Sequence, residues 1–355
     1  MRVMRKFFYI ILASLAVAAV SCKPKTATPR PTIPLVEQIA RDTSGLAARV
    51  AAAGHRGAEG GIAVIGQSGD AASLSRLFYN ADILDNIDGR PVRDSLPDFA
   101  GERLDVILDE VSGDYSHYYP SQTDSLRESA VSCAMHAWNA PILAKALVYA
   151  SPLQSEYGLF DVDTLQALTG GASRVFSPVG SSIAQAAAHG AKNIGVWASR
   201  EIREAQVYEH AFLASGVEGS LVSITPVQAL DVRTSFRNFL RQYRESGKTL
   251  DALVLSSYHV DPRPIRSEVA LIRRAATDED MAFSALLPRG FQIITPGEAV
   301  MADVYSWLRK ENLFTHRIAR PQLNYYQTVE NPAGGTALEP LDISFVRNTY
   351  VQEFD

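Results

Sequence analysis

Few residues in this chain carry side chains suited to covalent or proton-transfer chemistry, and they fall in a small number of short segments. The 355 residues hold two cysteines. One, Cys133 in VSCAMHAW, lies within sequence that reads as folded. A thiol has a pKa near enough to neutrality to serve as a base once donors or positive charge lower it. Two histidines are candidate partners, His136 in the same segment and His259 in LVLSSYHV. A Cys133 pair with either one has the make-up of a site that removes a weakly acidic proton, provided the base is close and desolvated. Hydroxyls and a glycine loop suited to holding a carboxylate occur in AVIGQSGD (Gln67, Ser68, Gly69), at Ser199, and at Ser257 with Tyr258. Each also has a plainer role. Free cysteines often behave as small buried hydrophobes. His136 suits packing or capping, Asp114 suits its own turn, and Ser68 and Ser199 suit helix caps. Trp138, Trp197, Tyr118 and Tyr119 read as core or cleft aromatics.

These residues need a scaffold, and the apolar pattern supplies one. GIAVIG is an apolar run followed by a glycine loop and AASLSRLF, which reads as strand, loop and helix. The pattern recurs in RLDVILDEVSGDY, in SSIAQAAAHGAKNIGVWAS, in FRNFLRQYRESGKTLDALVLSSYHV and in GFQIITPGEAVMADVYSWLRKENLF. The stretch 129–147 is expected to open with a short strand at Ala130–Cys133 and continue as a helix. Strands alternating with helices, several apolar throughout, indicate parallel sheets covered on both faces. In such sheets ligands lie in the crevice beyond the strand C-termini. Gln67–Gly69, Asp114 with Tyr115, Cys133, Ala198 with Ser199, and Ser256–His259 are the expected strand-end residues. An N-terminal helix over 35–54 is weakened or split at Gly45. Residues 83–102 form a polar insertion, either a surface loop or a lid.

The chain begins with a basic head (Arg2, Arg5, Lys6) and the apolar run Phe7–Val20, then reaches Cys22 through Ala19, Val20 and Ser21. The run is short of the roughly 20 residues a helix needs to cross a bilayer, and the arrangement is that of an exported signal. It resembles the lipobox of bacterial lipoproteins, with Cys22 as the acylated residue and a membrane anchor as the consequence. Lys23, rather than aspartate, after Cys22 points to the outer membrane of a cell envelope. The following KPKTATPRPTIP has nothing to bury and reads as a tether. With Cys22 lipidated, Cys133 has no disulfide partner. The net charge of −5 is spread through the chain, and no basic block is interleaved with aromatics, so nucleic acid is excluded as a partner. Neither HExxH nor CxxC occurs, so no metal site is expected.

Taken in order, the motifs from Gly61 to Ala333 resemble the aspartate/glutamate racemase superfamily, and most closely its glutamate racemase branch. AVIGQSGDAASLSRL resembles the opening strand with its Asp-Ser-Gly loop. SGDYSHYYP is similar to a Gly-Asp segment leading to a Pro-Tyr turn. VSCAMHAW stands where the family has its first catalytic cysteine. FSPVGSSIAQAAAHGAKNIGVWAS is similar to the crossing into the second domain, and LVLSSYHV to the segment with the second cysteine and a histidine. IITPGEAVMADVYSWL and NYYQTVENPAGG resemble the closing segments.

The resemblance implies an α/β fold of two similar domains, each a mostly parallel sheet flanked by helices, with a cleft between them. The expected organisation is a signal peptide 1–21, a lipidated tether 22–34, a helical extension 35–60, a first domain of 61–165 plus 262–330, a second domain 166–261 and a tail 331–355. The family uses no cofactor: two thiols on opposite faces of an amino acid's Cα remove and return its proton, and relatives often form homodimers. Carried over, Cys133 matches the first thiol, Ser257 stands in the place of the second, and His259 matches the neighbouring histidine. Gln67 replaces an acidic residue. Ser68, Gly69 and Ser199 match substrate-holding positions, while Ala134 and Tyr258 replace polar ones. Two readings stay open. The protein is an envelope lipoprotein that binds a small carboxylate or amino acid without two-cysteine activity, or it is a cofactor-independent racemase or isomerase with Cys133 as its single base.

Overall fold

A computed structural model describes residues 30–54, 57–315 and 320–341. The expected signal peptide, Cys22 and most of the tether lie outside the described residues. The chain enters through helices α1 (Pro34–Arg41) and α2 (Leu46–Ala52), divided at Gly45. Then come β1 (Gly61–Gly66), α3 (Ser68–Tyr79), β2 (Arg103–Leu108), a 3₁₀ turn (Tyr115–Tyr118), α4 (Thr123–Trp138), β3 (Ala144–Tyr149), α5 (Pro152–Thr169) and β4 (Arg174–Phe176). Helix α6 (Pro178–Ala188) leads to β5 (Asn193–Trp197), α7 (Arg200–Glu204), α8 (Val207–Ser215), β6 (Ser220–Ile224), α9 (Val232–Tyr243) and β7 (Ala252–Leu255). The chain closes with α10 (Pro262–Ile272), α11 (Asp278–Leu286), β8 (Gln292–Ile294), α12 (Pro296–Lys310), β9 (Gln322–Glu330) and β10 (Thr336–Leu341).

Two sheets result, ordered β10-β9-β2-β1-β3-β4 and β6-β5-β7-β8. Every pairing is parallel except β10 with β9. β1 is central, and all six of its residues are buried. That is the pattern expected of a strand covered by helices on both faces. One face packs under α3 and α12 around Val64, Phe78, Val106 and Val304. The other packs under α4, α5 and the N-terminal helices around Ile65, Val131, Leu147 and Leu165.

The main departure from expectation is at 123–149. No strand forms at Ala130–Cys133; α4 runs through it, and the strand is β3, Ala144–Tyr149. Buried residues of α4 at Leu126, Ala130, Val131, Cys133, Ala134, Ala137 and Trp138 follow helical spacing. The small Ala130 and Gly158 let α4 and α5 approach closely: a Cβ on Gly158 would run into the Ala130 Cβ.

The division between the sheets also differs from the expected boundaries. β4 pairs with β3 in the first sheet, so the crossing follows Phe176 rather than residue 165. α10, α11 and β8 belong with the second sheet, since β8 pairs with β7, and the chain returns only at α12. Part of the expected tail is the strand β10. The insertion at 83–102 feeds the N-terminal end of β2, the end opposite the strand C-termini, so it is no lid. Asp98 accepts from Ile83 N and Leu84 N, and Tyr305 Oη donates to Asp85 O.

The segment leaving the tether is bolted down. Arg30 pairs with Glu156 of α5 and lies 5.1 Å over the Tyr157 ring. Glu156 Oε1 also meets His210 Nδ1 of α8 at 2.9 Å. Arg127 Nε donates to buried Asp161 at 2.7 Å, whose other oxygen accepts from Ile33 N.

Candidate functional site

Strand C-termini of both sheets meet over the gap between them. β1 delivers Gln67–Asp70, β2 Asp109, β3 Ala150 and Ser151, β5 Ala198 and Ser199, and β7 Ser256–His259. The helices that follow begin here because each chain must leave its strand end, and their first N–H groups lack intrahelical acceptors.

Gln67 is the residue preceding α3. Its Oε1 accepts from Tyr115 N at 3.1 Å and its Nε2 donates to Asp70 Oδ2 at 3.1 Å. Ser151 Oγ, at the end of β3, donates to the same Asp70 oxygen at 2.8 Å. No donor from the described residues reaches Asp70 Oδ1. Burial pushes the Asp70 carboxyl above its ordinary pKa; Ser151, the His259 charge and Gln67 pull it back, and Asp114 adds to the rise. Ser68 Oγ donates to Glu110, and nothing approaches the open side of Gly69.

From the second sheet, Tyr258 reaches across the gap, and its Oη donates to Ala150 O at 2.8 Å. This tyrosine joins the two sheets at the point where β3 ends. Ser257 Oγ accepts from His259 N at 3.1 Å, and the His259 ring is exposed. Ser199 is exposed and accepts from Ile202 N at the start of α7. Asp114 caps the 3₁₀ turn by accepting from Ser116 N at 2.9 Å. Between these groups lies a cavity of about 100 Å³, lined by Asp70, Asp114, Tyr115, Ser151, Ser199 and Glu201 among others. Tyr208 of α8 is fully buried, and its hydroxyl has no hydrogen-bond partner among the described residues. Burial, with a contribution from the Asp70 charge, pushes that phenol upward.

Cys133 is not part of this arrangement. It is 1% exposed, in the middle of α4, within the core beneath the first sheet. Burial and the Asp109 charge push its thiol well above the ordinary value, so it is a thiol and not a thiolate. Ala134 is buried beside it and touches no cavity at the strand ends. His136 bonds Thr336 Oγ1 at 3.0 Å in a separate groove under α1 and α2, and burial lowers its ring below the ordinary histidine value, against the pull of the Asp109 charge. The first-thiol position expected from VSCAMHAW is therefore displaced by one element: the strand end over the cleft carries Ala150 and Ser151. Of the expected site residues, Gln67 and Ser199 line the cavity and Tyr258 crosses to Ala150 O, whereas Ser68, Gly69, Ser257 and His259 do not line it.

Three residues escaped the sequence reading. Asp70 restores a carboxylate one helical turn after Gln67, and its signal was an acidic residue in the first turn after a glycine loop. Ser151 follows a six-residue strand that only the correct placement of β3 reveals. Tyr208 has no local signal, since its relevance comes from the packing of α8.

No protein-family model and no curated protein matches the chain. Solved structures do. A glutamate racemase isoform from Bacillus anthracis superposes with a TM-score of 0.51 at 14% identity, covering 76% of this chain and 89% of that one. The Thermus thermophilus glutamate racemase, in complex with β-chloro-D-alanine, gives 0.50 at 16% identity, covering 79% and 91%. The fold of the described residues is the one these glutamate racemases have.

Proposed function

We propose that this protein is a lipid-anchored protein of the bacterial cell envelope that binds a small amino acid or carboxylate in the cleft between its sheets, without running two-thiol racemisation. The observation that carries the reading is the placement of Cys133. Ser151 is the serine that the end of β3 brings to the cavity, and the thiol lies inside a helix-packed core. A Cα proton is weakly acidic, and its removal needs a base in contact with it. A hydroxyl without an activating base ionises far too high for that role, and a buried protonated thiol cannot reach the substrate. The alternative with Cys133 as a single base meets the same obstacle. The envelope location rests on the basic head, the apolar run and Cys22 in the lipobox-like segment.

What remains at the cleft is suited to holding a ligand. Strand C-termini and the N-termini of α3 and α5 converge there, as in other open α/β sheets. Tyr258 spans the gap and fixes the separation of the walls.

The test is α-proton exchange in heavy water, followed by NMR on a pool of D- and L-amino acids, with wild type beside Cys133→Ala. No exchange is expected for either protein. Exchange in wild type that disappears in the variant would overturn the reading and restore the one-thiol isomerase.

A further inference from the structure

The character of the cleft wall narrows the ligand class. Three carboxylates, Asp70, Asp114 and Glu201, face the cavity, and none of the residues lining it is Lys, Arg or His. The N-termini of α3 and α5 offset part of this charge. Each is equivalent to roughly half a positive charge, and Asp70 itself occupies the first turn of α3. An anion arriving here meets a place where the favourable dipole is already matched by a side chain.

Asp70 is also incompletely satisfied. Ser151 Oγ and Gln67 Nε2, both neutral donors, share Oδ2. Oδ1 receives no donor from the described residues, although an ionised carboxylate accepts on both oxygens. No cationic side chain forms an ion pair with Asp70 among the described residues; His259 acts on it only through the field. A partly buried carboxylate that lines a cavity, has no ion pair and keeps one oxygen clear of donors from the described residues is suited to a cationic donor from the ligand.

We infer that the cleft takes a compact primary ammonium group, which donates to Asp70 Oδ1 with Ser151 and Gln67 holding the carboxylate, and that it rejects dicarboxylates. This rests on the cleft being the binding site. The ligand is then a small amine, or the amino end of a small amino acid whose remainder points outward past Ser199.

Binding to the full chain, purified in detergent, is followed by titration calorimetry at neutral pH with ethanolamine, ethylene glycol, acetate and D- and L-glutamate as probes. Ethanolamine and ethylene glycol differ only in the ammonium. Ethanolamine is expected to bind about tenfold or more tightly than ethylene glycol, as a charge-assisted bond exceeds a neutral one. The anions are expected not to compete. Asp70→Asn keeps the shape and is expected to remove the preference for ethanolamine. Tighter binding of glutamate or acetate than of ethanolamine overturns the inference and leaves the cleft as a binding site. Ethanolamine binding unchanged in Asp70→Asn also overturns it. Failure of every probe to bind the wild type overturns both the inference and the reading on which it rests.

Discussion

The two ends of the first sheet handle buried charge in opposite ways. At the N-terminal end, Lys145 of β3 and Glu102 form an ion pair at 2.7 Å with both side chains fully buried. Lys145 Nζ also donates to Ala58 O and Leu313 O, each at 2.7 Å. Burial lowers the lysine and raises the carboxyl, and each partner's charge opposes the shift. At the C-terminal end, Asp70 lines a cavity with one oxygen engaged and the other without a donor from the described residues. Asp109 is the control on that same end. It accepts from Tyr115 Oη at 2.8 Å, Thr328 Oγ1 at 3.1 Å, Ser112 N at 3.4 Å and Ser129 Oγ. A buried polar group whose partners are complete holds structure together. One left incomplete beside a cavity is available to something that arrives.

The contrast can be broken by substitution. Lys145→Met should have the largest effect, a loss of about 3–5 kcal/mol, because it strands the Glu102 charge in the core. Urea unfolding followed by circular dichroism measures it. Adding Glu102→Leu should recover much of the loss, and a double variant no better than the single one would count against a sealed ion pair.

Asp109→Ala should cost about 2–4 kcal/mol, since it leaves the buried Tyr115 and Ser129 hydroxyls without an acceptor. A cost below about 0.5 kcal/mol would mean those donors find other partners readily, and the cluster would lose its standing as structural.

Asp70→Asn should have the smallest effect and the opposite sign at neutral pH, a gain within about 1 kcal/mol. The raised folded-state pKa sets the pH dependence. Below the unfolded value of about 3.9 both states hold the proton and the favourable contribution is complete. As pH rises through the raised folded value the contribution is lost. Wild type and variant should therefore be most alike in acid and diverge as pH rises above about 4. Thermal unfolding across that range reads the divergence, and a variant less stable at neutral pH than in acid, relative to wild type, would reverse the sign.

The sequence made parts of the fold legible and left others hidden, for identifiable reasons. β1 and β7 are runs buried on both faces and bounded by polar strand ends, so their apolar continuity is plain. The split of the N-terminal helix at Gly45 follows from one glycine beside Asp42 and Ser44. α4 was obscured because it is covered on more than one side and built from Ala, Ser and Cys. It therefore lacks the contrast between apolar and polar faces that marks a surface helix. β3 was obscured by Lys145, a charge in mid-strand that only a buried partner from another segment explains. At the cleft, an assignment resting on Cys133 followed a local motif, whereas the walls depend on which strand ends come together. Asp70 and Ser151 meet through that convergence and are 81 residues apart in sequence.

The bolt at Arg30 has a mechanical meaning. Acylation at Cys22 would put the lipid eight residues before Arg30. Eight residues of chain span at most roughly 28 Å. Through Glu156 and its contact with His210, the same fastening point touches helices of both sheets. Any pull on the anchor thus enters the protein at the seam between its halves rather than at the far side of one of them. A body held this closely, by its seam, would have its cleft carried at a restricted height above the bilayer, within reach of small molecules that gather at the membrane surface.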